Sequence, residues 1–175
     1  ATGYKQIGSL SLARNKERLE ELKRNASMAK VFGVKSEILG PNEICQLYPG
    51  LSSEGILGAL HIEKDGQTNP IDTTMALAKG AQNRGAKVIE SAKVNRILTD
   101  NSKVIGVTVG EEKIKCRRVI LTGGLWSRDI AASLNVHLPL YACEHYYVVT
   151  EEIPGLTPRP VLRDFDREIY FKEDA

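Results

Sequence analysis

The stretch RRVILTGGLWSRDIAA, residues 117–132, holds the residues whose types and spacing bear most directly on chemistry. An apolar run ends at Thr122, Gly123 and Gly124 follow, and then come Trp126, the only tryptophan, and a helix-forming segment from near Ser127. At the carboxyl end of a strand in an open α/β sheet, glycines let a backbone amide approach an anion such as a pyrophosphate, and the next helix offers its positive N-terminus. The same two glycines also suit a plain tight turn, which stays open as the competing reading. Other candidates narrow the chemistry. Cys45, Cys116 and Cys143 are odd in number, far apart and without C-x-x-C spacing, which fits a reducing compartment and neither a disulfide framework nor a zinc site. His61 and His137 have no ligand-like spacing to any carboxylate or cysteine pair. Asp65 with Gly66 reads as a turn. There is no G-x-G-x-x-G after an N-terminal strand and no Walker loop, so no complete phosphate-binding fingerprint is present.

The elements that must position these residues alternate between strand and helix. IGSLSLA (7–13) predicts a strand with Leu10 and Leu12 on one side. Between Asn15 and Phe32 the apolar positions Leu19, Leu22, Ala26, Ala29 and Phe32 recur at helical spacing, with Gly33 as the stop. SEILG (36–40) reads as a short strand, Pro41 opens a helix that Pro49 and Gly50 end, and ILGALHI (56–62) is the next strand. Asn69 and Pro70 cap and start a helix in which Ile71, Met75, Leu77, Ala78 and Ala81 make a buried stripe and Gly85 the stop. Then come AKVIES, KVNRILTD, SKVIGVTV and IKCRRVILTG as strands, with DNS and GEE as turns. This order predicts a parallel sheet with an inserted antiparallel meander. LPLYACEHYYVVT reads as a long strand, EEIPGLTPRP as a loop and VLRDFDREIYFKE as a hairpin.

Composition bounds the class. The chain has 175 residues, 42% of them hydrophobic, enough for an ordinary core. Lys and Arg total 24 against 22 Asp and Glu, and the basic residues are dispersed rather than blocked with aromatics, which disfavours a nucleic-acid surface. No apolar run approaches a membrane span, and ATGYKQIGSL lacks the head and apolar core of a secretory signal, so no membrane association is expected. No repeat or low-complexity segment appears.

Five ordered motifs carry a resemblance. GSLSLARNKERLEELKR, EILGPNEICQLYPGL, DGQTNPIDTTMALAKGAQNRGAKVIE, VILTGGLWSRDIA and the pair CEHYYVVTEEIPGL and VLRDFDREIYFK together resemble the FAD-dependent sarcosine and dimethylglycine dehydrogenases of the D-amino-acid-oxidase-like superfamily. The resemblance implies a mixed α/β fold: part of a FAD-binding domain interleaved with a substrate-domain sheet. It divides the chain into a substrate-domain segment (1–65), a FAD-domain segment with the inserted meander (66–138) and a second substrate-domain segment (139–175). It also accounts for the missing fingerprint, because in that family the G-x-G-x-x-G and the histidine that takes the flavin covalently precede the matched region, and further chain follows it.

The same resemblance assigns roles. Val94 matches a strand position whose backbone meets the adenine side of FAD. Trp126, with Gly123 and Gly124, matches the phosphate and ribityl region. His145 and Tyr147 match the strand crossing the substrate side of the flavin ring, as catalytic residues. Tyr146 is the neighbour that must face the other way on a strand, and on the residues alone His145 reads first as a satisfied core histidine. Arg163, Asp164 and Tyr170 match a hairpin beside the substrate. The implied activity is oxidative demethylation of a small N-methylated glycine with hydride transfer to flavin N5. The resemblance further implies an electron-transferring flavoprotein or oxygen as acceptor, and in the full-length protein either release of formaldehyde or transfer of the one-carbon unit to tetrahydrofolate. The implied compartment is the mitochondrial matrix in a eukaryote and the cytoplasm in a bacterium. YACEHYYVVT also resembles the regulatory subunit of pyruvate dehydrogenase phosphatase, which keeps a non-catalytic regulatory relative as the alternative.

Overall fold

Strand β1 (Ser9–Ala13) alternates small and leucine side chains, and both of its faces are covered. Leu10 and Leu12 point one way, as their spacing predicts, into a core with Leu39, Ile44, Ile56, Ala59 and Leu162. Ala13 points the other way and packs with Leu22, Ala26 and Leu60. The computed structural model describes residues 2–173.

Helix α1 (Lys16–Val31) follows β1 directly. The Asn15 side chain accepts the Arg18 N–H at 2.7 Å and caps its first turn. Gly33, at φ +72°, ends it: its N–H reaches the Lys30 carbonyl while the Val34 N–H reaches that of Ala29, a Schellman closure that a Cβ would strain. Leu22 and Ala26 are the buried face; Phe32, predicted on that stripe, lies past the last turn and is exposed. Strand β2 (Glu37–Leu39), helix α2 (Pro41–Leu47) and strand β3 (Gly58–Ile62) then complete a layered unit. Because residues alternate along each strand, Ile38 and Leu60 join the core under α1 while Leu39 and Ala59 join the one holding Ile44 of α2.

The hairpin predicted from residue 161 onward is strands β7 (Val161–Asp164) and β8 (Ile169–Phe171). The five-stranded sheet has the order β2-β3-β1-β7-β8. Its only parallel pair among the described residues is β1 with β7, so the predicted parallel sheet is corrected to a mixed one. Helix α3 (Pro70–Gln82) begins at the Asn69 cap as predicted. Its expected buried stripe is not buried: Ile71 is 72% and Leu77 71% exposed, and no described element covers that face.

The predicted meander is strands β4 (Val94–Asp100), β5 (Lys103–Val109) and β6 (Glu112–Lys115), paired antiparallel. Asn101 and Ser102 both take positive φ in the two-residue turn between β4 and β5, the geometry that matches strand twist. Residues 86–91, 117–123 and 138–150 were expected as strands and carry no ladder. A strand is defined by a hydrogen-bonded neighbour, and none of the described strands pairs with them. Helix α4 (Ser127–Ala132) lies on β4, preceded by a 3₁₀ turn over Gly124–Trp126.

Contacts divide the chain into two compact units: one runs to Ala86 and resumes at Val149, and the other is Lys87–Val148. These divisions differ from those drawn on the sequence. Helix α3 stays with the first unit because the Thr2 carbonyl accepts the Thr68 hydroxyl at 2.6 Å and the Asn69 N–H at 3.3 Å.

Candidate functional site

In the first unit, alternation along β7 turns Val161 and Arg163 to one side and Leu162 and Asp164 to the other. Arg163 pairs in register with Tyr170 of β8. Together with Gly66, Gln67, Val161 and Lys172 they line a hollow of about 310 Å³. Gly66 is required where it stands, since a Cβ there would lie 2.1 Å from the Lys5 carbonyl oxygen. That close approach lets Lys5 and Gln67 form an isolated bridge, with N–H to carbonyl distances of 2.8 and 3.0 Å. Arg163 has no ion-pair partner among the described residues, so its guanidinium is available to an anion.

Asp164 does different work. It is 2% exposed and its Oδ2 accepts the Arg14 Nε–H at 2.6 Å. Arg14 also donates to the Glu54 carbonyl at 2.9 Å, and its backbone N–H donates to Asp166 at 2.9 Å. Asp166 further accepts the Arg18 Nε–H at 3.1 Å, and the Arg18 guanidinium lies 5.5 Å from the centre of the Phe165 ring. The hydrogen bond from the Arg14 amide, with Arg18 beside it, holds the Asp166 carboxyl below the usual aspartate range. The structure thus separates Asp164 from Arg163 and Tyr170: it ties the β7–β8 hairpin to the junction of β1 and α1 and faces away from the hollow.

In the second unit, Val94 opens β4, and β4 packs against α4, which the Gly123–Trp126 turn precedes. The structure therefore brings the Val94 strand and the Trp126 turn into one unit. Gly124 has φ +56° and open space where a Cβ would stand. Trp126 is 70% exposed, while Ser127 behind it is buried. His145 and Tyr147 lie in the segment 138–150, without regular structure; both are exposed, Tyr147 by 78%, and neither hydrogen-bonds to a described residue. Among the described residues no group of His, Cys, Asp or Glu has the geometry to hold a metal ion, and no helix is long and apolar enough to cross a membrane.

The family model described as FAD dependent oxidoreductase matches residues 1–175. The chain belongs to this family. It is 39% identical, over 98% of its length, to a formaldehyde-forming 4-methylaminobutanoate oxidase of Paenarthrobacter nicotinovorans, and 38% identical, over 98%, to the mitochondrial sarcosine dehydrogenase of Homo sapiens. It is also 32% identical, over 98%, to the mitochondrial regulatory subunit of pyruvate dehydrogenase phosphatase of Mus musculus. The alignments cover 21%, 19% and 20% of those relatives, so the chain spans about a fifth of their length. The fold matches L-proline dehydrogenase of P. horikoshii with a TM-score of 0.82 at 24% identity, covering 99% of this chain and 47% of that one.

The residues present fit the dinucleotide that the family name implies. Gly124, at positive φ with open space where a Cβ would stand, leaves room for a diphosphate beside the backbone, and Trp126 presents an exposed indole next to it. Two polar members of the hollow, Gln67 and Lys172, were not singled out in the sequence. The loop EKDGQTNP shows only turn-forming residues, and nothing in it signals that a glutamine side chain is covered.

Proposed function

We propose that this chain is part of a FAD-dependent oxidoreductase that removes an N-methyl group from a small N-methylated amino acid such as sarcosine or dimethylglycine. The observation that carries the proposal is that two relatives at 38% and 39% identity, one a sarcosine dehydrogenase and the other a formaldehyde-forming methylamino-acid oxidase, match along the whole chain. The hollow supports it. A small amino acid brings a carboxylate, and Arg163, Lys172 and Tyr170 surround that space with donors.

In this reading Val94, Gly123, Gly124 and Trp126 hold FAD, which when bound accepts the hydride of the N-methyl carbon. His145 takes the proton of the ammonium form and frees the nitrogen lone pair, and Tyr147 orients the amine. Arg163 and Tyr170 fix the carboxylate, and Asp164 positions them by anchoring the hairpin through Arg14. Loss of hydride leaves an iminium that water splits to the demethylated amine and formaldehyde. Transfer of the one-carbon unit to tetrahydrofolate, and the choice between oxygen and an electron-transferring flavoprotein, belong to the full-length protein.

The test is the product of a full-length protein given sarcosine: one formaldehyde per sarcosine consumed is expected. Glyoxylate in its place would place oxidation at the other carbon and overturn the demethylation. The 32% identity to a phosphatase regulatory subunit favours a second reading, a non-catalytic relative, for which neither product would form.

A further inference from the structure

The hollow beside β7 and β8 contains a group whose hydrogen-bonding capacity the fold leaves unused. Gln67 lines it, half-buried, with its backbone engaged to Lys5. Its side-chain Nε2 and Oε1 are both covered from solvent and both without a hydrogen-bond partner. A covered donor and a covered acceptor, each unpaired, oppose folding, and Gln67 differs from the other covered unpaired atoms, Arg159 Nε and Asp164 Oδ1, in lining a hollow that a ligand can enter. The surrounding side chains specify which ligand. Arg163, Lys172 and the Tyr170 hydroxyl are hydrogen-bond donors, two of them cationic, and the space of about 310 Å³ suits a molecule the size of a small amino acid.

We propose that Gln67 determines specificity for a carboxylate in this hollow: a change of side-chain rotamer turns its amide to the ligand, and Nε2–H donates to the carboxylate that Arg163 holds. The inference rests on reading the hollow as the carboxylate end of the amine site. It adds that the free protein carries an unpaired amide which the substrate relieves, so discrimination against amines lacking a carboxylate is built into the loop before α3. A glutamine kept for stability would behave in the opposite way, because its replacement would weaken the fold.

The experiment uses the full-length protein and methoxyacetate, which keeps the carboxylate and size of sarcosine without an oxidisable amine, with affinity measured by calorimetry and Tm alongside. Gln67→Leu is expected to weaken methoxyacetate roughly tenfold, the loss of one hydrogen bond to a charged group, with Tm unchanged or raised. Gln67→Glu keeps the shape, sets a like charge against the carboxylate and is expected to abolish binding at neutral pH. With sarcosine, Gln67→Leu raises KM with kcat held within about twofold. Equal methoxyacetate affinity in wild type and Gln67→Leu, no binding to wild type, or a lower Tm without loss of affinity would each overturn the inference. The amine reading fails separately: if methoxyacetate binding depends on Gln67 while no N-methyl amine reduces the flavin, the carboxylate site stands and the demethylation does not.

Discussion

At the scale of single residues, charge and position separate roles that the sequence alone places together. Arg163 and Asp164 are neighbours in VLRDF, yet strand alternation sends one to an open hollow and the other into a buried ion pair. That alternation was legible once the hairpin was recognised. The partner of Asp164 was not, because Arg14 is 150 residues away and only the parallel pairing of β1 with β7 brings it near. Gln67 was equally hidden, since burial of a loop side chain leaves no periodic trace. The catalytic assignment makes its prediction at this scale. In the full-length protein His145→Gln should lower the rate of flavin reduction by sarcosine roughly 10²–10⁴-fold, the usual contribution of a positioned acid or base, with little change in Tm because His145 is exposed. Stopped-flow absorbance checks it, and a rate within twofold of wild type would remove His145 from the chemistry.

Elements whose boundaries are written in local residues were legible, and those that depend on a neighbour were not. Helices α1 and α3 carry their own starts and stops in Asn15, Gly33, Asn69 and Pro70. Residues 117–123 and 138–150 have the β-branched and aromatic content of strands but no described strand beside them, and content cannot supply the partner. The buried stripe of α3 was misread for the same reason, since periodicity shows an apolar face and not what covers it. The hairpin anchor gives two predictions at this scale. Arg14→Met leaves Asp164 buried without its countercharge and should cost about 3–5 kcal/mol in urea unfolding, and adding Asp164→Leu should recover much of that loss. Asp166 titrates below the unfolded aspartate value of about 3.9. Its contribution is therefore fully present above that pH and disappears as pH falls through the folded value. A profile of Tm from pH 6 to 3 should fall less steeply for Asp166→Asn than for wild type, and parallel profiles would show that the hairpin anchor carries no linked proton.

Across the whole molecule, the match to known relatives is end to end for this chain and about a fifth of theirs, and exposed apolar residues lie both on regular elements, such as Ile71 and Leu77 of α3, and in segments that lack ladders, such as Ile120 and Tyr146 to Val149. The family, the mixed sheet and the meander rest on this chain itself; the demethylation rests on a protein that holds FAD. The most direct test is an anaerobic visible spectrum of that full-length protein before and after sarcosine, dimethylglycine or 4-methylaminobutanoate. The account predicts flavin bands that bleach with at least one of the three. A colourless protein, or a flavin that none of them reduces, would contradict it and favour the regulatory relative.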